Sequence, residues 1–372
     1  MTRLALNIAH TESSCGWGGQ EIRILTEALG MQRRGHGVTI VCQPEAPIHA
    51  AARKLGITAV ALPIARKNLT ALSALRGWLN QRRDIDVLNT HSSTDAWLAA
   101  VAQLTLFRGT PIVRTRHVSS RIANNPPTRW LYQRATQHIV TTGEALKQQL
   151  ATENGFDAAR MTSVPTGVDL ERFRPRDARE ARRALGLRAE RSYLGIVATL
   201  RNWKGHTYLL QAFAALSKHY PAWDLLVVGD GPQRHNLERL IGESGFDERV
   251  KMVGNRDDVE RWFNALDVFA LPSYGEEGVS QSVMQAMASG LPVVSTTVGA
   301  ISEAVAHEQS GILVAPRDAA QLEMALARLM GEPALRQRFG TVGRQRAVER
   351  FGTERMLDAM ERVFHNVVGK KR

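Results

Sequence analysis

The residues with the clearest chemical potential lie in Leu271–Thr296, which reads LPSYGEEGVSQSVMQAMASGLPVVST. The apolar run before Pro272 predicts a strand, the stretch with glycine and glutamate predicts a loop, and the residues from about Ser280 predict a helix. The amino terminus of such a helix carries free N–H groups and a partial positive charge. The arrangement therefore predicts an anion site in the loop, where Ser280 and Ser282 could cap the helix or donate hydroxyl hydrogen bonds.

Glu277 lies beside this predicted anion site. An unpaired carboxylate accepts hydrogen bonds only, which suits the binding of sugar hydroxyls. A capped surface helix with a solvated glutamate explains the same residues equally well. The local chemistry alone does not choose between these two interpretations.

Two series of short β-rich runs, separated by amphipathic stretches such as Glu21–Arg34 and Thr94–Leu106, must position this loop. Such alternation predicts βαβ units, with parallel sheets covered by helices on both faces. The predicted strands are Leu4–Ala9, Val38–Cys42, Ala59–Leu62, Val87–Asn89, Ile112–Arg114, Ile139–Thr141 and Thr162–Val164, then Tyr193–Ala198, Leu225–Gly229, Lys251–Val253, Val268–Leu271, Val293–Ser295 and Ile312–Val314.

The alternation breaks at Val164–Asp177, a stretch rich in Pro, Gly and Arg. We predict an amino-terminal domain at 1–168, a linker at 169–190, a second domain at 191–350 and a carboxyl-terminal helix within 351–372 that could pack back on the first domain. Ligands of doubly wound sheets bind beyond the carboxyl ends of the strands, so two such sheets facing each other would form one cleft. The arginines between 172 and 191 alternate with acidic residues, which favours a solvated helix.

The excess of basic residues indicates which classes of partner the protein could bind. The 372 residues include 48 Lys and Arg against 36 Asp and Glu, a formal net charge of +12. Such a surplus favours anionic partners: nucleic acid, lipid headgroups or phosphorylated small molecules. Two cysteines suit a reducing compartment, and no apolar run is long enough to span a membrane, so we expect a cytoplasmic protein or one on the inner face of the cell membrane. The basic residues that could meet an anionic membrane surface are Arg53, Lys54, Arg66, Lys67, Arg82 and Arg83.

The segment 271–296 resembles the donor-binding signature of the retaining GT-B glycosyltransferases of family 4, also called group 1. Their pattern is a Glu, seven residues and a second Glu, within EGFG…EAMA.G.PVV.T; Glu277 takes the first position and Gln285 replaces the second Glu. The resemblance implies that Glu277 holds hydroxyls of the donor sugar and that Gln285 meets the ribose with an amide in place of a charge. The donor-binding residues implied here are Gly278, Val279, Ser280 and Gln285.

Further family motifs cover nearly the whole chain. VPTGVDLERF at Val164–Phe173 resembles the signature between the domains, and VVGDGP at Val227–Pro232 resembles the second strand and turn of the donor domain. The segment 249–273 resembles the one that contacts the nucleotide base, which implies that Val253 and Arg256 lie near the base.

IVATLRNWKGH, at 196–206, resembles the GRL…KG motif of the family. Lys204 matches the motif, whereas Thr199 stands where the family has Arg; Arg201 could supply the missing charge two positions later. A planar guanidinium and a point-charged ammonium on one loop suit a diphosphate. A basic loop on a basic protein is the plainer alternative.

In the first domain, SSCGWGGQEIR at Ser13–Arg23 follows the first strand and opens a helix. Gly18 and Gly19 let backbone amides approach a phosphate closely. The family carries a similar GG.E, which faces the donor diphosphate and the acceptor. A plain strand-to-helix turn explains the glycine pair as well.

Three histidines, His10, His91 and His117, end predicted strands or begin the loops that follow, so they share the sheet edge expected to face the cleft. PIVRTRHVSS, at 111–120, resembles the family strand whose terminal His lies at the reaction centre, and this implies that role for His117. Arg116 and Arg121 flank it. With His10 and His91 they could hold an anionic acceptor, or they could be solvated surface arginines.

The resemblance implies a GT-B architecture, two Rossmann-like α/β domains facing each other across a cleft, and transfer of a sugar with retention. Lys204, Arg201 and the helix amino terminus would stabilise the departing diphosphate, Glu277 would orient the sugar and His117 would position sugar or acceptor. We therefore expect a hexosyl- or N-acetylhexosaminyltransferase that needs no metal and no cofactor. A UDP-sugar is the favoured donor, and a growing lipopolysaccharide or lipid-linked glycan is the favoured acceptor.

Four alternatives stay open from the residues. The acceptor could be a small soluble molecule. Gln285 and Thr199 could mark a degenerate protein that only binds a nucleotide sugar. The basic composition could serve nucleic-acid binding, although no nucleic-acid motif is present and we expect no such partner. A nucleotide-sugar epimerase of similar architecture is less favoured because the acidic-loop signature is that of transferases.

Overall fold

In a computed structural model of the protein, the described residues are 4–106, 109–118, 120–245, 247–275 and 277–369. The ends of the predicted domain ranges, Ser119 of the segment 111–120 and Glu276 of the acidic loop lie outside them. The chain divides into two compact units, Met1–Gly167 with Thr353–Arg372 and Val168–Gly352. Residues 169–190, predicted as a linker, thus belong to the second unit.

The first unit contains a seven-stranded parallel sheet with the spatial order β3-β2-β1-β4-β5-β6-β7. Its strands are mostly buried, which is why they read as apolar runs in the sequence. Their bounds are β1 Asn7–Glu12, β2 Gly37–Cys42, β3 Thr58–Ala61, β4 Val87–Thr90, β5 Ile112–Arg116, β6 His138–Thr141 and β7 Met161–Ser163.

In the described residues of the first unit, six α-helices connect these strands. Asn68 caps α3 by accepting a hydrogen bond from Ala71 N, and Ser92 and Asp95 form a capping box that starts α4. A π-helical turn, Leu131–Ala135, continues α5. The helices are α1 Gly19–Arg33, α2 Pro47–Lys54, α3 Leu69–Gln81, α4 Ser93–Gln103, α5 Pro126–Trp130 and α6 Glu144–Asn154.

The second unit contains a six-stranded parallel sheet with the order β10-β9-β8-β11-β12-β13. Its strands are β8 Ser192–Val197, β9 Trp223–Val228, β10 Val250–Gly254, β11 Val268–Leu271, β12 Val293–Thr296 and β13 Gly311–Val314. In both sheets the strand order reverses next to the first strand of the unit, which places a topological switch point beside β1 and another beside β8.

Within the described part of the second unit, eight α-helices are present. They are α7 Ala178–Ala184, α8 His206–Ser217, α9 Arg234–Ser244, α10 Val259–Ala265, α11 Gln281–Ala288, α12 Ile301–Ala304, α13 Ala319–Gly331 and α14 Pro333–Phe351. Helix α14 packs so closely against the turn after α11 that a Cβ placed on Gly340 would lie 2.2 Å from the carbonyl oxygen of Gly290. Glycine at this position therefore permits the contact.

The last helix, α15 (Thr353–Gly369), belongs to the first unit and packs on α1. Leu357 fills the space beside Gly30, where a Cβ would lie 2.4 Å from its Cδ1. Arg34, at the end of α1, forms ion pairs with three acidic residues of α15: Glu354 at 2.5 Å, Asp358 at 2.9 Å and Glu361 at 2.9 Å.

All thirteen predicted strands are present, but the position of the first was wrong. It spans Asn7–Glu12 and not Leu4–Ala9. Leu4 is 58% exposed, whereas His10 and Glu12 are fully buried. The apolar residues at 4–6 suggested too early a start. The polar end of the strand was missed because tertiary contacts, not apolar side chains, bury it.

The arginine-rich stretch is also less solvated than predicted. Arg182 of α7 is buried, donates a hydrogen bond to Ala265 O at 2.9 Å and pairs with Asp267 at 2.6 Å. Arg191 pairs in the same way with buried Asp224, at 2.5 Å. These arginines attach the stretch to the second unit, and their partners lie too far along the chain for a local pattern to reveal.

Among the described residues, no helix combines the length and the apolar content that crossing a bilayer requires.

Glycine packing in the second unit predicts a stability difference between two alanine substitutions. Gly340→Ala should lower the free energy of unfolding by about 2 kcal/mol, because the new methyl group meets a backbone carbonyl that cannot yield easily. Gly242→Ala, in α9, meets nothing within 4 Å and should raise it by about 1 kcal/mol through helix propensity. Urea unfolding of both variants measures this; equal effects would show that α11 and α14 can separate at little cost.

Candidate functional site

The acidic loop of the second unit lies where the sequence predicts it, between the end of β11 and the start of α11. Because the strands are parallel, their carboxyl ends share one edge of the sheet, and the loop after β8 reaches the same edge. Glu277 on the first loop and Lys204 on the second are therefore brought together although 73 residues separate them. This pair is the centre of the candidate site.

Glu277 is not the unpaired carboxylate that we expected. Its Oε1 accepts a hydrogen bond from Lys204 Nζ at 2.5 Å and another from Ser273 Oγ at 2.9 Å. Glu277 is 8% exposed, and the Lys204 side chain is 20% exposed. A pair so shielded from water interacts more strongly than a surface pair, and it holds both groups in place.

Two glycines in the left-handed region let the loops approach each other. Gly205 has φ +78°, and a Cβ there would lie 2.0 Å from Pro272 O. Gly299 has φ +58°, and a Cβ there would lie 2.0 Å from Glu277 O. The backbone of Glu277 is further fixed by the hydrogen bond from Ala300 N to its carbonyl, at 3.1 Å. Both loops are thus held by close backbone packing.

Helix α11 begins at this loop, as predicted. Ser280 is its N-cap residue but makes no side-chain cap hydrogen bond; its Oγ lies 3.3 Å from Ser282 Oγ. Gln285 is half-buried one turn further on, and its side chain makes no hydrogen bond to another described residue. Gly278 and Val279 complete the loop, and Val279 is buried.

Arginines stacked on aromatic rings flank the site. Arg201 is exposed, and its guanidinium lies 5.2 Å from the ring centre of Trp203. The carbonyl of Trp203 accepts a hydrogen bond from Tyr274 N at 2.8 Å, which joins the two loops. In the loop after β10, exposed Arg256 stacks on Trp262 at 5.3 Å, and Val253, within β10, lies at a shift in the strand register. Both arginines keep their N–H groups accessible.

In the first unit, the loop after β1 is held by a buried carboxyl group. Glu12 accepts hydrogen bonds from Ser14 N at 2.7 Å and from the Gln20 amide. Gly18 is the N-cap of α1 and Gly19 its first residue. Desolvation and the charge of buried Asp95 raise the pKa of Glu12 to about 8.

The three histidines form one hydrogen-bonded chain. His10 Nδ1 lies 2.9 Å from His91 Nε2, and His91 Nδ1 lies 2.9 Å from His117 Nε2. The rings of His10 and His91 are stacked, with centres 5.2 Å apart. His10 lies inside β1 rather than after it, whereas His91 and His117 follow the ends of β4 and β5.

All three imidazoles are held in the neutral state. Burial and the charge of Arg23 lower the pKa of His10 to about 3. Burial lowers the pKa values of His91 and His117 well below the ordinary value, and nearby charges, among them those of Arg23 and Arg114, add to the effect. A neutral imidazole carries one N–H and one lone pair, so each contact in the chain joins a donor to an acceptor.

The two arginines near His117 differ. Arg116 is buried and donates to Tyr132 Oη at 2.8 Å, Val118 O at 3.2 Å and Ser120 O at 2.8 Å. It therefore holds the loop after His117. The side chain of Arg121 is 79% exposed and pairs with Glu153 at 3.4 Å, an exposed contact that a ligand could displace at little cost.

Residues 191–332 match the family model Glycosyl transferases group 1, and residues 17–172 match Glycosyltransferase Family 4. D-inositol 3-phosphate glycosyltransferase of Frankia alni is 32% identical over 291 residues, which cover 70% of this chain and 69% of that protein. The chain belongs to glycosyltransferase family 4.

The chain is also similar to a second glycosyltransferase in sequence and to a solved structure in fold. It is 28% identical to 2-deoxystreptamine glucosyltransferase of Streptomyces kanamyceticus over 347 residues, or 85% of this chain and 89% of that protein. Its fold is similar to that of Anabaena HepE, solved in complex with UDP, with a TM-score of 0.85, 19% identity and coverage of 97% and 100%. The predicted GT-B fold with two doubly wound α/β domains is confirmed.

Several residues in or near the candidate site were not predicted from the sequence. Glu12 and Asp95 are buried carboxyl groups, and of the two only Asp95 lies in a local motif, the capping box with Ser92. Trp17, between two glycines, is 52% exposed, and Trp203 is 39% exposed; an exposed indole offers an apolar face on which another ring can stack. An aromatic residue in a glycine-rich loop was the only signal available.

The positive charge is distributed very unevenly between the two units. The first unit has 24 Lys and Arg against 13 Asp and Glu, and the second has 24 against 23. The net charge of +12 is thus almost entirely that of the first unit. Long-range attraction of anions is therefore a property of this unit.

His36, Glu361 and His365 form the one cluster of potential metal ligands found among the described residues, with ligand atoms within 4.8 Å of one another. His36 Nδ1 accepts a hydrogen bond from Leu6 N at 3.1 Å, so its Nε2 carries the proton and faces Glu361 at 3.4 Å. Arg34 already balances the charge of Glu361. A metal-bound histidine normally donates through its second nitrogen, so this cluster fits the docking of α15 better than a metal.

The buried carboxyl group of Glu12 predicts a pH dependence. Its pKa is about 8 in the folded protein against 4.5 ordinarily, so the folded state binds more protons than the unfolded state between these values. Stability due to this group is therefore complete below pH 4.5 and is lost as pH rises towards 8. Glu12→Gln, which mimics the protonated group, should remove this loss. Urea unfolding at pH 5 and pH 8 measures the difference between wild type and variant; a difference that does not grow with pH contradicts it.

Proposed function

We propose that the second unit binds a nucleotide sugar through Lys204 and Glu277, and that the enzyme transfers the sugar, with retention, to an acceptor recognised by the first unit. The observation that carries this proposal is the shielded 2.5 Å contact between a cation and a carboxylate on two loops at the carboxyl edge of the sheet. Each group suits one part of the donor, the cation its diphosphate and the carboxylate its sugar hydroxyls.

Donor binding would rearrange this pair. A diphosphate carries more negative charge than one carboxylate, so Lys204 would turn towards it, and Glu277 would be released to accept hydrogen bonds from the sugar. Arg201, exposed on the same loop, would contact the same phosphates. As the glycosidic bond breaks, these fixed cations stabilise the leaving diphosphate, which is the role that a metal ion plays in other transferases. Attack on the same face as departure would give retention.

A UDP-sugar is the proposed donor. The similar fold of HepE in its complex with UDP supports this choice. Val253 and Arg256, on and beside β10, would lie near the base, and Gln285 would offer an amide to the ribose hydroxyls. Gly278, Val279 and Ser280 would present backbone N–H groups at the start of α11 to the phosphates.

The acceptor is proposed to be anionic, because the first unit carries nearly all of the net positive charge. A growing lipopolysaccharide or lipid-linked glycan at an anionic membrane surface meets this requirement. A phosphorylated small molecule meets it as well, and the similarity to an inositol 3-phosphate glycosyltransferase favours this second candidate. In both cases Arg121, Gly18 and Gly19 are the proposed contacts.

A panel of nucleotide sugars tests the proposed function, with thermal unfolding and donor hydrolysis measured for each. A donor that binds the folded state alone stabilises it by mass action, by about 2.7 kcal/mol at a hundred times its Kd. We expect one or more UDP-sugars to raise the unfolding temperature and to be hydrolysed. Stabilisation without turnover, even with phosphorylated acceptors present, would indicate a protein that only binds nucleotide sugars.

Lys204→Ala should weaken the binding of UDP far more than that of uridine, because the ammonium group meets the diphosphate and not the nucleoside. Titration calorimetry with both ligands measures the two losses. Lys218→Ala, at the opposite end of α8, is the matched control and should change neither. Equal losses for UDP and uridine would refute a diphosphate contact.

The membrane version of the proposal predicts binding to vesicles of anionic lipid that falls as salt rises. Arg53, Lys54, Arg66 and Lys67 are exposed in the first unit, whereas Arg82 is paired with Asp84 at 2.8 Å. Each exposed basic residue near the surface adds about 1 kcal/mol, within a screening distance of about 8 Å at physiological salt.

Vesicle sedimentation compares two matched variants. Substitution of Arg53, Lys54, Arg66 and Lys67 by Gln should release the protein from anionic vesicles. Substitution of Arg174, Arg176, Arg179 and Arg183 by Gln, which removes the same number of exposed charges from the nearly neutral second unit, should not. Equal sedimentation with neutral and anionic lipid, or none with either, would favour the soluble phosphorylated acceptor.

A further inference from the structure

The histidine chain has two consistent arrangements of its protons. In one, every ring is protonated at Nε2, and the hydrogen bonds run from His117 through His91 to His10. In the other, every ring is protonated at Nδ1, and they run from His10 to His117. Each 2.9 Å contact needs one donor and one acceptor, so the neutral rings must all change together.

The buried end of the chain distinguishes the two arrangements. His10 Nε2 is buried and has no hydrogen-bond partner among the described residues. If it carried the proton, that N–H would be left without an acceptor, beside the positive charge that already lowers the pKa of His10. A lone pair on Nε2 is the better-tolerated state, because a buried acceptor without a partner is less unfavourable than a buried donor without one, and the positive charge of Arg23 near His10 also opposes a further proton.

Glu27 does not reverse this preference. Its Oε2 also lacks a partner, but the Nε of Arg23 lies 3.7 Å from it and balances its charge. Its Oε1 accepts a hydrogen bond from Asn89 at 3.2 Å, and burial raises the pKa of Glu27 to about 7, so the carboxyl group is partly neutral near that pH. The positive charge of Arg23 prevails at His10.

We propose that His10 and His91 are positioning residues that hold His117 as a neutral imidazole protonated at Nδ1. His117 Nε2 is occupied by His91, so Nδ1 is the ring atom that the chain leaves available. His117 then offers a hydrogen-bond donor, not a base, to an oxygen atom of the bound substrate, either a sugar hydroxyl or a phosphate oxygen. This rests on the proposed function only for the identity of that substrate.

The positioning role explains why two fully or nearly fully buried histidines lie below His117. An isolated neutral imidazole can place its proton on either nitrogen and so present either a donor or an acceptor. A chain anchored beside Arg23 removes that freedom before the substrate arrives. The same anchoring opposes protonation of His117, since a second proton would have to break the chain or add charge near Arg23 and Arg114.

Long-range ¹H–¹⁵N correlation spectra of the free protein, labelled with ¹⁵N-histidine, test the proposal directly, since the two tautomers and the imidazolium give different nitrogen shifts. The three signals are assigned with single variants. We expect His10, His91 and His117 to be neutral and protonated at Nδ1 from pH 6 to pH 8. A His117 ring protonated at Nε2, or an imidazolium in this range, overturns the proposal. The spectrum needs no donor, so failure of the proposed function leaves this test unaffected.

Two variants of His91 add a second readout. His91→Phe keeps a ring but breaks the chain, and His117 should then show a mixture of tautomers. His91→Gln keeps one donor and one acceptor, and His117 should stay mainly protonated at Nδ1. His138→Gln, which removes an imidazole of the same sheet near Thr162, is the control. An unchanged His117 tautomer in the folded His91→Phe variant would mean that the chain has no positioning role.

Discussion

The site in the second unit depends on one electrostatic contact, the ion pair between Lys204 and Glu277. It joins the loop after β8 to the loop after β11, and close backbone contacts at Gly205 and Gly299 reinforce the junction. Neither charge could be so shielded alone, because an unpaired buried charge costs several kcal/mol. The pair therefore keeps both groups in place in the absence of substrate. In the proposed complex a diphosphate would replace the carboxylate as the partner of Lys204, and sugar hydroxyls would replace Lys204 as the partners of Glu277.

In the first unit, the candidate site residues are held by hydrogen bonds between neutral groups. Glu12, His10 and His91 are buried and His117 is half-buried, and removal from water opposes the charged form of each group. The loop after β1 and the residues around His117 are thus positioned by hydrogen bonds rather than by ion pairs. The surface of the same unit carries nearly all the net positive charge. Attraction of an anionic acceptor at long range and its orientation at short range would then depend on separate groups.

Features that depend on neighbouring residues in the chain could be predicted from the sequence, and features that depend on contacts between distant residues could not. Buried parallel strands are continuous apolar runs, so their positions are visible locally, and the glycine-rich and acidic motifs identify the loops that follow them. Residues such as Arg182 and Arg116 could not be placed, because whether an arginine is buried depends on partners elsewhere in the fold. The same limit hid the contact between Lys204 and Glu277 and the hydrogen bonds among the histidines.

The strand that was misplaced illustrates the same point. The apolar residues from Leu4 onwards suggested a start too early, while the polar residues that follow are buried by their neighbours. His10 is inside the strand because an adjacent imidazole, His91, satisfies its Nδ1. A hydrophobicity pattern therefore ends the strand too early, because it treats a buried polar residue such as His10 as exposed.

The most direct test of this account is Glu277→Gln, which keeps the shape of the side chain and removes its charge. Transfer from the UDP-sugar identified in the panel and binding of UDP should be measured on the same folded sample. The account predicts that transfer falls at least about 100-fold, as expected when a contact to the reacting sugar is lost, whereas UDP binds as tightly as before or more tightly because Lys204 is released. Wild-type transfer in this variant, or a loss of UDP affinity equal to the loss of transfer, would contradict it.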